Sequence, residues 1–205
     1  MTDKVDTRTR IMDIAQDAVL AKGFDGTSID EIVAAAEITK GGFFYHFPDK
    51  NALAVALIER YIVDEDTLFD DVLGRAQELS DDPLQAALIG LKLLAELLDD
   101  MPNGHPGCLV ATAAYQDRLF DRQVREANKR AVLGWRHRFR ALFEEIAETY
   151  PPNDNVDFDA LSDFVSAVVE GGIVLSKSLG EPRITAQQVM VLRSYMKLLF
   201  TPARH

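Results

Sequence analysis

Apolar residues recur at helical spacing along nearly the whole chain. Ile11, Ile14, Ala15 and Ala18 stand at i, i+3, i+4 and i+7, one stripe of an amphipathic helix. Gly23 follows where such a helix commonly ends. Ser28 and Glu31 form a capping box that predicts a second helix running through the alanines at 34–36. A short third helix is predicted over 39–46, stopped by Pro48. Asp49 then caps a fourth, carrying Leu53, Leu57, Tyr61, Leu68 and Val72. Asp82-Pro83 supplies an N-cap and a favoured first helical residue for a helix over 84–98. The stretch 101–107, MPNGHPG, holds two prolines and two glycines and must interrupt the helices. Further helices are predicted over 108–118, over 121–149, over 158–179, and from a Thr185 cap to near Phe200. Alternating runs bounded by hairpin turns are missing, so the fold class is all-α, with about nine helices.

Composition narrows the setting. Hydrophobic residues make up 47% of the 205, enough for a substantial core. No apolar run approaches the roughly 20 residues needed to cross a bilayer, and residues 1–10 are polar with no secretory pattern. The single cysteine, Cys108, cannot form an internal disulfide. These features predict a cytoplasmic protein without a membrane partner. The net charge of −11 argues at first against nucleic-acid binding. The acids, however, gather in pairs and triplets at 64–66, 70–71, 81–82 and 99–100. Exposed charges more than about 8 Å apart are largely screened at physiological salt, so local surface decides.

The chemistry concentrates in residues 27–50, TSIDEIVAAAEITKGGFFYHFPDK. A capped amphipathic helix is followed by a tight connection at Glu37-Ile38 and a second helix of about two turns. Ile29, Ile32 and Val33 are placed to pack against Ile38 and Phe43, the layout of a helix-turn-helix. Gly41-Gly42 weakens its helix by about 1 kcal/mol per residue relative to alanine, so stability does not account for it. Glycine instead permits close approach of another surface. Phe43 and Phe47 read as core; Tyr45 and His46 carry polar tips and read as exposed.

This segment resembles the DNA-binding region of the TetR/AcrR family of transcriptional regulators. The resemblance rests on Thr27-Ser28-Ile29, Ala34-Ala35-Ala36, Ile38-Thr39-Lys40-Gly41, the aromatic run Phe43-Phe44-Tyr45-His46-Phe47, and Lys50. It covers about the first sixty residues and implies a DNA-binding domain over 1–50 joined to a helical effector-binding and dimerisation domain over 51–205. By resemblance, Thr39, Lys40 and Gly42 would face bases and nearby phosphates at the front of the recognition helix. Tyr45 and His46 would reach the backbone and adjacent base edges, Lys50 a phosphate, and Ser28 would set a helix N-terminus against another phosphate. Two departures stand out. The family usually has glycine where this chain has Glu37, which predicts a differently oriented turn. It commonly has tyrosine at Phe44, which removes one hydroxyl contact.

The resemblance further implies a homodimer on a palindromic double-stranded DNA operator, built on the last two helices, and a small-molecule effector of unknown identity. Interface candidates are Phe164, Val168, Gly172, Leu175, Leu192, Tyr195, Met196 and Leu199. Effector-pocket candidates are Leu93, Leu97, Met101, Phe120, Trp135, Phe139 and Phe143; apolar residues at this spacing equally suit a packed core. A run of arginines over 118–140 is expected to balance neighbouring acids. Cys108, at a predicted helix start, is a candidate redox sensor or else a small core residue. His105 and Cys108 are too few ligands for zinc, and no cofactor is expected. No HExxH, GxSxG, Walker or GxGxxG pattern is present. The reading is a ligand-responsive DNA-binding regulator, in all expectation a repressor. The alternatives are a helical ligand-binding or interaction protein with a decayed DNA reader and, with less support, an α-helical enzyme.

Overall fold

The computed structural model describes residues 6–201. Among them are nine α-helices and no strand: α1 (Thr7–Lys22), α2 (Ile29–Ala35), α3 (Lys40–His46), α4 (Lys50–Leu79), α5 (Pro83–Asp99), α6 (Leu109–Tyr115), α7 (Arg122–Thr149), α8 (Phe158–Leu179) and α9 (Ile184–Phe200). A 3-10 turn at Asp117–Leu119 lies between α6 and α7.

The helix starts are where short polar side chains satisfy free backbone amides. Ser28 Oγ accepts from Glu31 N at 3.2 Å, and Asp49 Oδ1 from Ala52 N at 2.8 Å. Asp82 Oδ1 accepts from Gln85 N at 2.8 Å, and Asp157 Oδ1 from Ala160 N at 2.8 Å. The Thr185 cap is not observed. Helix α9 begins at Ile184, and Thr185 lies inside it, buried against Gly172 of α8. A β-carbon on Gly172 would stand 3.0 Å from Thr185 Cα, so α8 and α9 approach closely there.

The chain forms two compact units. The first comprises residues 1–64 and 106–132, the second 65–105 and 133–205. The boundary expected at residue 50 falls inside the first unit. In the first unit, Leu109, Ala113, Phe120, Val124 and Ala127 join Ile11, Val19, Phe24, Ile32, Phe43, Phe47 and Leu57 in one core. A three-helix reader of some fifty residues is marginal by itself, and the later segment adds apolar cover to it.

The second unit packs α9 against α5 and α8. Phe143, Leu161, Val165, Leu192, Met196, Leu199 and Phe200 share its main core, with the Phe143 and Phe200 rings stacked at 6.4 Å. The arginines of α7 are largely paired: Arg136 with Asp163, Arg138 with Asp66 and Asp70, and Arg140 with Glu144 and Asp159. The basic run thus balances acids on a solvated face, as its spacing suggested.

Candidate nucleic-acid interface

Helices α2 and α3 are joined by a turn that closes α2 in the Schellman arrangement. Glu37 N donates to Ala34 O and Ile38 N to Val33 O, both at 3.2 Å. Glu37 occupies the left-handed position with φ +52, the conformation glycine adopts most easily. The expectation of a reoriented turn is corrected: the backbone keeps the turn, and a glutamate bears the strain. Burial of Ile32 with Ile38 packed beside it holds the turn in place. Glu37→Gly is therefore expected to stabilise the protein by about 1 kcal/mol, read as a shift in the urea unfolding midpoint.

Helix α3 opens with Thr39 Oγ1 accepting from Gly42 N at 3.0 Å. It ends at Phe47, whose extended backbone (φ −137, ψ 108) is what a residue before proline prefers. Its two sides differ sharply. Phe43 and Phe47 are buried, their rings 5.9 Å apart, while Tyr45 is 86% exposed. Phe44, half out of the core, packs edge-on against Phe43, and His46 packs edge-on against Tyr45. Lys40 is exposed and pairs with Asp30 of α2 at 2.6 Å. Such an exposed pair is worth at most about 1 kcal/mol, so an incoming phosphate can displace it.

The glycines are not required by the fold. A methyl group at Gly41 would come within 3.7 Å of Thr39 Oγ1, and at Gly42 within 3.5 Å, ordinary contacts in both cases. Ser28 and Thr39 each accept one cap bond and keep their hydroxyl protons free to donate.

Lys50 requires a correction. It does not project from the start of α4; its ammonium donates to the carbonyl oxygen of Phe24. Burial depresses its pKa, with nearby Asp25 opposing the shift. That carbonyl, near the start of the α1–α2 turn, also accepts from Thr27 N at 3.4 Å.

Comparison with known proteins decides what this arrangement belongs to. Residues 11–57 match the family described as bacterial regulatory proteins, tetR family. The transcriptional regulator AcuR of Cereibacter sphaeroides is 30% identical over 159 residues, covering 76% of this chain and 69% of that protein. The chain belongs to the TetR family. The HTH-type transcriptional repressor DhaR of a Mycobacterium species is 25% identical over 83% of this chain and 82% of its own. The crystal structure of reduced NemR from E. coli superposes with a TM-score of 0.78 at 19% identity, over 97% of this chain and all of that one, which speaks for the fold. This TetR-family chain is a DNA-binding, ligand-responsive transcriptional regulator. Its relatives are regulators rather than enzymes. Among the described residues no helix is long and apolar enough to cross a membrane.

Other candidate positions fall differently from the TetR-based expectation. Phe120 belongs to the first unit's core, its ring 4.8 Å from that of Phe24. Phe143 is buried in the second unit's core. Phe139 packs beside it and edge-on to Phe69. Met101 packs against the cluster of Ala95, Leu98, Ala186 and Val189. Leu93 and Trp135 are half-buried and Leu97 is exposed. The second unit contains a cleft of about 250 Å³ whose walls include Leu73, Gln77, Ser80, Asp81, Leu142 and Glu145.

The interface candidates divide. Leu192, Met196 and Leu199 are buried in their own unit, Val168 packs against the same core, and Gly172 lies against Thr185. Phe164, Leu175 and Tyr195 face outward, Phe164 and Tyr195 edge-on at 5.6 Å. Val174, Met190, Val191 and Leu198, absent from the expected set, are exposed with them. Helix α9 carries apolar residues on both a buried and an exposed side, and packing shows which is already covered. Cys108 is half-buried, and its sulfur accepts from Ala111 N at 3.4 Å as the cap of α6. No cluster of three or more metal-binding side chains occurs among the described residues.

Proposed function

We propose that this regulator is a cytoplasmic repressor that binds a palindromic operator as a homodimer and leaves it when a small molecule binds. The observation that carries the reading is the two-sidedness of α3: Phe43 and Phe47 anchor it inward, while Lys40, Gly41-Gly42 and Tyr45 form an outward surface. A major groove is about 12 Å wide and admits a helix presented this way. Glycines at the helix front let the backbone come close to the duplex, Tyr45 and His46 offer polar tips beside it, and Lys40 exchanges Asp30 for a phosphate. Two such helices must stand about 34–36 Å apart to read successive grooves, which calls for a two-fold pair. The outward apolar residues of α8 and α9 provide the surface for that pairing. A soluble monomer rarely leaves so many large apolar side chains exposed on neighbouring helices. An effector coupling of about 1–3 kcal/mol would lower DNA affinity 5–150-fold.

The test is selection of duplexes from a random library by the wild-type protein, followed by fluorescence anisotropy on the tightest one. A palindrome and a loss of at least about tenfold with Tyr45→Ala support the reading; recovery of no palindrome at low salt overturns it. Two further outcomes are expected. Gly42→Ala should leave stability unchanged or raise it by up to about 1 kcal/mol, while weakening binding to the same duplex. Leu198→Glu, placing a charge on a side chain that is 74% exposed in the single chain, should shift the protein toward monomer in sedimentation without unfolding it.

A further inference from the structure

Phe24 gathers contacts from two distant parts of the first unit, residues 116–120 and the start of α4. Gln116, just beyond α6, accepts through its side-chain oxygen from Phe24 N at 2.7 Å and from Asp25 N at 3.3 Å. Lys50 donates to the Phe24 carbonyl, and the Phe24 ring meets that of Phe120. On the other side of the turn, buried Thr27 donates through Oγ1 to Gly23 O at 2.9 Å. Ser28, the next residue, caps α2, whose far end leads through Glu37 into α3. The turn that starts the reader is therefore hydrogen-bonded by a side chain from outside the contiguous helix-turn-helix.

We propose that Gln116 is a positioning residue for DNA recognition: its amide fixes the 23–27 turn and so sets where α2 and α3 present their outer surfaces. The chemistry is specific. Two successive backbone amides converge on one acceptor oxygen, with the amide nitrogen of the same side chain lying over Gly23, where a β-carbon would stand only 2.8 Å away. An aliphatic side chain at 116 removes the acceptor and leaves the Phe24 amide of a buried residue unpaired, which the turn relieves by moving toward water. Glutamate keeps an acceptor at the same reach. Asparagine is one methylene too short.

The inference rests on DNA binding through α3, and the experiment separates the two. Wild-type, Gln116→Leu, Gln116→Asn and Gln116→Glu proteins are titrated against the duplex selected by wild-type protein and against a scrambled duplex. Amide hydrogen exchange is followed at Phe24 and Asp25. Wild-type binding together with loss on Tyr45→Ala establishes the reader independently. The expected result is a loss of about tenfold or more on the selected duplex for Gln116→Leu and Gln116→Asn, with little change on the scrambled one. Exchange at both amides should accelerate, and Gln116→Glu should return affinity to within about threefold of wild type. If Gln116→Leu does not fold, Gln116→Asn decides. Folded Gln116→Asn that binds the selected duplex as wild type does, or Gln116→Glu that is as weak as Gln116→Asn, overturns the proposal.

Discussion

Phe43→Ala is expected to destabilise the protein by about 3–5 kcal/mol, the cost of emptying a fully buried aromatic site. Phe43 is wholly inaccessible, its ring lies against Phe44 and Phe47, and it shares the core with Ile32 and Ile11. Helix α3 has only seven residues, too few to hold itself together in water; its structure depends on what its inner side chains touch. Since a domain has about 5–15 kcal/mol in total, Phe43→Ala should lower the urea midpoint sharply and abolish binding through loss of α3. Tyr45→Ala, two positions away, should change stability by no more than about 0.5 kcal/mol and still lose DNA affinity. Paired denaturation and anisotropy measurements separate the effects. Equal destabilisation by the two variants would refute the assignment of an inner and an outer side.

Gly23→Ala is expected to cost about 2 kcal/mol or more. Gly23 ends α1 with its N–H on Val19 O at 2.8 Å and has φ +78 with ψ 169. That combination lies outside even the left-handed helical region and is essentially reserved for glycine, at about 1–3 kcal/mol for other residues. The added methyl would also meet the Gln116 amide at 2.8 Å. Gln116 would have to swing away, releasing Phe24 and Asp25, or the turn would have to shift. Gly23→Ala should therefore reduce both thermal stability and operator affinity. The contrast with Glu37→Gly is instructive: one positive-φ site has glycine and needs it, the other does without and bears the strain.

How much was legible in the sequence depended on the range of the interaction. Ser28, Asp49 and Asp82 cap helices as read, because a cap bonds an amide two or three residues away and the pattern is local. The inward places of Phe43 and Phe47 followed from spacing around a short amphipathic helix. Thr185 misled for a local reason as well: it begins a plausible cap pattern, yet α9 already starts at Ile184 and Thr185 packs against Gly172 of α8. Gln116 gave no signal at all. A glutamine after an alanine-rich helix is unremarkable, and its partners lie more than ninety residues earlier.

The amino-acid order by itself determined the all-α class, the helix boundaries to within a few residues, and the reader's motif, since periodicity, caps and breakers act between near neighbours. Tertiary structure alone decided that Lys50 turns inward, that 106–132 joins the reader's core, and which apolar stripe of α9 is already covered. It also placed four of the seven expected pocket residues, Met101, Phe120, Phe139 and Phe143, in or against cores. The physical reason is common to all four: an apolar or charged side chain is compatible with several partners, and only the distances imposed by the folded chain choose among them.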